Sequence, residues 1–259
     1  MARHESLLPR EHGAYAEIAF PILTGLTLNK PSMAAVCFAV AAISCFLGHE
    51  PVAVLIGARG VRAREMWGAT ARRRLALLTI TAVTAGLAAM VVAPSQGRTA
   101  ALLPLAAGAI LLPAFLSGRV KTLTAETVVI AALAGIVLPM AVSSGVEWSL
   151  AWSASGVWFA TFTLGTLAVH AIKAKTGKGV GAKWAVVAAP LPSVATAVAG
   201  LLSILAGWLP TTVGFALMLS GLLATVLSVA PIHPRQLKRV GWTLVTANVA
   251  TWALLLAAG

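Results

Sequence analysis

Apolar segments follow one another from about residue 13 almost to the last residue of this 259-residue chain. A helix needs about 20 mostly apolar residues to cross the hydrocarbon layer of a bilayer. Only 10% of the residues are charged and 59% are hydrophobic, whereas a soluble domain carries roughly 25% charged residues. No hydrophilic stretch is long enough to fold by itself. The sequence therefore predicts a single multi-pass transmembrane domain over residues 1–259.

Nine apolar segments are long enough to be membrane-spanning helices. They cover residues 13–28, 33–56, 75–93, 99–116, 125–143, 150–171, 184–206, 211–230 and 240–258. Apolar runs of this length are typical of helices rather than strands. The first segment follows basic residues without a small-residue cleavage site, so we expect it to be retained. The predicted fold class is all-α, a bundle of about nine transmembrane helices.

The distribution of charge predicts the orientation of this bundle. There are 19 Lys and Arg residues against 7 acidic ones, all of them Glu. Such an excess in a soluble protein would suggest nucleic acid, but in a membrane protein basic residues collect in cytoplasmic loops. With a cytoplasmic N-terminus, only Lys30 and Arg98 fall outside. We therefore predict a cytoplasmic N-terminus, an external C-terminus, the prokaryotic cytoplasmic (inner) membrane as location, and no nucleic-acid partner.

All five histidines and six of the seven glutamates fall on or near the predicted cytoplasmic side. A functional site is therefore expected at that face. The first candidate segment is residues 9–17, PREHGAYAE, which leads into the first span. Glu17 lies inside the apolar run, where an ionisable group is costly and usually faces a polar cavity or a partner. We interpret Glu17 as a catalytic candidate, the alternative being a structural ion pair with a basic residue of an inner loop.

The second candidate segment begins with His49 and Glu50 near the end of the second span. Pro51 follows them and is expected to interrupt the helix, because it lacks a backbone N–H. Neighbouring helical residues point about 100° apart. We therefore expect one of the two side chains to face inward and the other to pair with a basic residue. Both are predicted catalytic residues that supply acid–base chemistry.

The loop predicted to follow this helix combines glycine with arginine. Gly57 and Gly60 flank Arg59, and Arg62 and Arg64 come next. Backbone amides beside glycines and guanidinium groups can close on an anion together. We predict that the three arginines bind an anionic group of the substrate. The alternative is an ordinary basic cytoplasmic loop.

The third candidate segment, residues 169–179, leaves the sixth span. His170 and Lys173 are three residues apart and so share one helix face, which makes them predicted substrate-binding residues. The alternative for His170 is a hydrogen-bonded histidine at a helix interface. An alternative function of the His and Glu side chains is to bind a metal ion or haem. Its predicted ligands are Glu11, His12, Glu17, His49, Glu50 and His170.

Two stretches resemble a known family. LLPREHGAYAEIAFPILTGL and AISCFLGHEPVAVLIGARGVRARE are similar to the YwiC-like family of prokaryotic integral membrane proteins, most specifically over residues 7–74. This resemblance implies a class of membrane protein and not a reaction. The predicted topology is also similar to that of UbiA-type intramembrane prenyltransferases. Their two Asp-rich motifs hold magnesium and a prenyl diphosphate at the cytoplasmic ends of spans two and six.

This chain has no Asp, so an Asp-rich magnesium site is excluded and no cofactor is assigned. Where the UbiA-type motifs would lie, it has His49-Glu50 with the Arg59–Arg64 segment, and His170 with Lys173. The similarity of its topology to UbiA-type prenyltransferases implies a protein that binds or acts on an isoprenoid, quinone-like or other long-chain lipid at the cytoplasmic face. It implies an apolar cavity open to the bilayer. Whether the protein is an enzyme stays open, as do three alternatives: a metal- or haem-binding protein, a small transporter and an accessory subunit of a membrane complex.

Overall fold

The computed structural model describes residues 12–116, 122–175 and 188–259, and all regular structure within these ranges is helical. The all-α prediction is confirmed. The helices are α1 (His12–Thr27), α2 (Met33–Leu55), α3 (Val61–Val92), α4 (Ser95–Leu116), α5 (Leu123–Gly135), α6 (Val137–Ser143), α7 (Trp148–Ala174), α8 (Pro190–Ala206), α9 (Thr211–Val229) and α10 (Leu237–Leu256), with a 3-10 turn at Pro234–Gln236.

Each of the nine predicted segments coincides with a helix, the fifth with α5 and α6 together and the seventh with α8 in its described part. Among the described residues, five stretches are long and apolar enough to cross a membrane. They are Met33–Leu55, Val61–Val92, Leu123–Ser143, Trp148–Ala174 and Thr211–Val229. The chain is therefore a helical membrane protein, while nine crossings and their orientation stay predictions.

Helix α1 packs against five other helices, α2, α5, α6, α7 and α10. Beside it the indole of Trp158 is completely buried. It stacks on Phe20 and Phe162, with ring centroids 5.4 and 5.3 Å away. Its N–H donates to Thr24 Oγ1 at 2.9 Å, which satisfies the polar edge of a ring that is otherwise packed against apolar groups. The middle of the bundle is thus filled by side chains.

Hydrogen bonds at the two ends of the bundle agree with the alternation of the predicted topology. At one end Asn29 Nδ2 donates to the carbonyl oxygen of Ser144 at 2.8 Å, between the α1–α2 and α6–α7 connections. At the other end Lys175 Nζ donates to the carbonyl oxygen of Ala230 at 2.6 Å, and partial burial lowers the pKa of Lys175. Because α2 and α7 both begin at the Asn29 end, both finish at the opposite end. We call this the basic end, and it is the one predicted to be cytoplasmic.

Two boundary predictions are wrong. Helix α2 passes through the fully buried Pro51 and continues to Leu55, because a proline in a membrane helix removes one hydrogen bond that neighbouring groups can replace. Helix α3 begins at Val61, so residues up to 74 are not a loop. Its 32 residues span about 48 Å, which exceeds the roughly 30 Å of hydrocarbon in a bilayer. The arginine-rich first turns therefore extend beyond the apolar layer.

Candidate functional site

A tight turn joins α2 to α3 at the basic end. Ile56 closes α2, and the N–H of Arg64 donates to the carbonyl of Gly60 in the first turn of α3. Gly57 and Gly60 have φ angles of +80° and +90°, a conformation that residues with a Cβ rarely adopt. The two glycines that suggested an anion-binding loop are therefore needed for the turn itself.

The side chains of Glu50 and Arg59 form an ion pair across this turn. Arg59 Nη2 donates to Glu50 Oε2 at 2.6 Å, and the two side chains are 34% and 3% exposed. Glu50 therefore both faces inward and pairs with a basic residue, although the prediction gave one of these roles to Glu50 and the other to its neighbour His49. His49 is exposed. Arg59, a predicted anion ligand, uses at least one guanidinium nitrogen to bind this carboxylate.

A groove of about 460 Å³ opens beside the turn, between the end of α2 and the first turns of α3. Its lining residues are Leu55, Val61, Arg64, Glu65, Gly68, Ala69 and Arg72. Arg64, Gly68 and Arg72 are spaced four residues apart, so they follow one face of α3. A Cβ at Gly68 would meet no atom within 4 Å, which shows that the glycine leaves open space between the two arginines.

The charged side chains of the groove are not neutralised by their neighbours. Arg64, Glu65 and Arg72 are exposed, and in the described structure none of their side chains makes a hydrogen bond or an ion pair. A guanidinium offers five N–H donors in a planar fork. The groove can therefore offer two groups of donors to an anion, next to the apolar side chains of Leu55 and Val61.

The structure changes the set of arginines that can act together. Arg62 and Arg64 are two residues apart on a helix, so they point to different sides, and Arg62 does not line the groove. Arg72 lines the groove instead and is not among the predicted anion ligands. The pattern Arg64-x3-Gly68-x3-Arg72 would have pointed to it, but only with α3 known to begin at Val61.

The other predicted ligands at the basic end lie on different helices. His170 Nε2 lies 2.8 Å from Glu126 Oε2, so that α7 is joined to the first turn of α5. The side chains are 41% and 33% exposed. This bond fits the interpretation of His170 as an interface histidine. Lys173 lies one turn further along α7, which packs mainly against α9, α5 and α6.

The first candidate segment is described only in part. His12 begins α1, but its side chain and all of Glu11 fall outside the described residues. Glu17 is half-buried on α1. No three His, Cys, Asp or Glu side chains come together to hold a metal within the described ranges. Because two of the six predicted metal ligands cannot be placed, the metal site stays a prediction.

Comparison with known proteins identifies one family. The model of a family described as YwiC-like protein matches residues 8–141, just over half of the chain. This range contains α1 to α5 and includes the α2–α3 turn with its groove, whereas His170 and Lys173 lie beyond it. No curated protein and no solved structure matches the chain.

Proposed function

The chain belongs to the YwiC-like family of membrane proteins, and from that premise we propose that it binds a long-chain lipid with an anionic head group in the groove beside the α2–α3 turn. The observation that carries this proposal is the pair Arg64 and Arg72. Both guanidinium groups line one groove without a partner in the described structure. Unpaired arginines that share an apolar-lined groove are suited to an anion that arrives with an apolar tail.

The head group would be held by charge-assisted hydrogen bonds. A guanidinium matches the geometry of phosphate and carboxylate oxygens and can bind them with two parallel bonds. The groove lies where α3 leaves the predicted hydrocarbon layer, which is the depth of lipid head groups. The open space at Gly68 gives such a group room between the two side chains.

The chain of the lipid has an apolar path along α3. Ile80, Val83 and Leu87 are 61%, 52% and 63% exposed and continue at helical spacing on the side of Arg72. The middle of the bundle is occupied by Trp158 and the rings that stack on it. We therefore assign the isoprenoid or acyl chain to the outer surface of α3 in place of a cavity within the bundle.

The remaining predicted site residues have different roles in this proposal. Glu50 and Arg59 keep the turn in the shape that forms the groove, because their ion pair connects α2 to the residues just before α3. Glu17 and His49 stay predicted acid–base residues for chemistry on a bound lipid. His170 and Lys173 stay predicted contacts of the substrate.

Native mass spectrometry of the gently solubilised protein tests the proposal, with lipid extraction and elemental analysis of the same sample. We expect one retained anionic lipid. The double variant Arg64→Gln/Arg72→Gln should reduce its occupancy at least about tenfold, because a hydrogen bond to a charged group contributes about 1.5–3 kcal/mol and 1.4 kcal/mol is a factor of ten.

The matched control is Arg62→Gln/Arg73→Gln, which removes the same charge from the same turns of α3 outside the groove. It should retain the lipid. Equal losses in both double variants would mean that a general positive surface attracts lipid, and the proposed site would be wrong. Stoichiometric iron, zinc or haem without lipid would favour the metal alternative, and a wild-type protein without lipid would also contradict the proposal.

A further inference from the structure

The groove contains a carboxylate beside its two guanidinium groups. Glu65 lines it together with Arg64 and Arg72, yet the described structure has no ion pair between Glu65 and either arginine. The groove thus presents two separate positive groups and one separate negative group. A site for a simple anion gains nothing from the carboxylate, because a like charge in the same groove repels the ligand.

The spacing along α3 keeps these charges apart. Arg64 and Arg72 are eight residues apart, about 12 Å along the axis, while Glu65 lies next to the first of them in the sequence and points about 100° away from it. The groove between the three side chains is large enough, at about 460 Å³, for a polar group with several non-hydrogen atoms. A ligand that carried both signs of charge could meet all three side chains at once.

We infer that the head group recognised by this groove carries an ammonium group as well as its anionic group, so that the ligand is an aminophospholipid. The inference rests on the proposed lipid-binding function and names the class of head group. The anionic oxygens lie on Arg64 and Arg72, and the ammonium donates to the carboxylate of Glu65. This arrangement gives every charge in the groove a partner of opposite sign.

The test compares two probes of equal net charge, phosphatidylserine, which has an ammonium, and phosphatidylglycerol, which has none. Each is titrated into the purified full-length protein and its binding is measured by native mass spectrometry. We expect the wild-type protein to prefer phosphatidylserine by about two- to fivefold, the effect of one solvent-exposed ion pair. The preference should shrink as salt is added, because exposed charges are screened.

Glu65→Gln is the informative variant and Glu147→Gln the control. Glu147 is exposed at the Asn29 end, just before α7 and opposite the basic end, and its replacement changes the net charge by the same amount. We expect Glu65→Gln to bind both lipids equally and to bind phosphatidylglycerol more tightly than the wild-type protein does. Glu147→Gln should keep the wild-type preference.

The outcomes separate this inference from the function on which it rests. Equal wild-type binding of the two lipids, or a preference that survives in Glu65→Gln, overturns the assignment of the ammonium while leaving an anionic-lipid site in place. Binding of both lipids that is unchanged in Arg64→Gln/Arg72→Gln overturns the proposed function as well, and the inference with it.

Discussion

Arg59 reaches back across the α2–α3 turn to place its Nη2 atom 2.6 Å from Oε2 of Glu50. The two members of this ion pair have unequal access to water, because the carboxylate is 3% exposed and the guanidinium 34%. A charge that is buried without a partner costs several kcal/mol, whereas a charge that water can reach costs much less. The two residues should therefore differ in what their replacement does.

Arg59→Gln should destabilise the protein more than Glu50→Gln does. The first leaves a carboxylate in a buried place, at a cost of about 3 kcal/mol. The second leaves a guanidinium that water can hydrate, and we expect a loss of about 1 kcal/mol. The measurement is the free energy of unfolding of each variant in the same detergent. The decisive variant is the double replacement, which should be more stable than Arg59→Gln alone, because no unpaired charge remains. Equal costs, or a double variant less stable than either single one, would show that the pair does not hold the turn.

Gly68→Leu should block the groove without unfolding the protein. A Cβ at this position meets no atom within 4 Å, so the leucine can extend into the open space, and leucine also favours a helix over glycine. We expect loss of the bound lipid with a free energy of unfolding within about 1 kcal/mol of the wild-type value. Gly108→Leu is the matched control, since Gly108 lies on α4, away from the groove and the lipid path, with open space around it. Equal lipid loss in both variants would mean that the groove at Gly68 is not the binding site.

Hydropathy was sufficient to predict the helices, and it was insufficient at the place where function is proposed. An apolar run predicts where a helix lies in the bilayer, but a helix can continue into water. Treating the start of the third apolar run at residue 75 as the start of the helix was therefore an error, because α3 begins at Val61. That error hid the register in which Arg72 follows Arg64. Pro51 caused an error of the same kind, a helix predicted too short, because a proline signals a helix end in water more reliably than in a membrane.

The sequence alone did not predict which helices that are far apart along the chain are in contact. His170 meets Glu126, a residue that no local pattern selects, because a single sequence does not say which helices are neighbours. The rotation of α2 about its own axis was also not predictable from the sequence. Whether His49 or Glu50 faces inward depends on how α2 packs, and only the structure assigns the buried place to Glu50. The UbiA-like arrangement of the whole bundle stays a prediction.

Thr24→Val should destabilise the bundle through Trp158. The valine removes the acceptor of the indole N–H, which lies at 2.9 Å, and leaves a completely buried donor unpaired. Hydrogen bonds between membrane helices contribute about 0.6 kcal/mol on average and up to about 1.7, and we expect the upper part of that range. Thr27→Val is the control, because Trp252 Nε1 donates to Thr27 Oγ1 at 3.2 Å in an exposed position. Both threonines lie on α1. A larger loss in Thr27→Val would contradict the central role of Trp158.

Gly221→Ala should loosen the pairing of α8 with α9. A Cβ on Gly221 would lie 2.5 Å from the carbonyl oxygen of Ser193 and 2.6 Å from the backbone nitrogen of Ala197. Both are backbone atoms, so the helices have to separate, and overpacking of this kind costs about 1–3 kcal/mol. Small residues allow such close approach between membrane helices, where packing replaces the hydrophobic effect as the driving force.

Gly108→Ala provides the comparison, because a Cβ on that residue of α4 meets no atom within 4 Å. The free energy of unfolding of this variant should equal that of the wild-type protein or be slightly higher, since alanine favours a helix over glycine. The groove beside the α2–α3 turn lies on other helices, so Gly221→Ala should keep its lipid under conditions in which it remains folded. Unchanged stability in Gly221→Ala would mean that α8 and α9 lie further apart than described. Loss of lipid from the folded variant would instead connect this helix pair to the binding site.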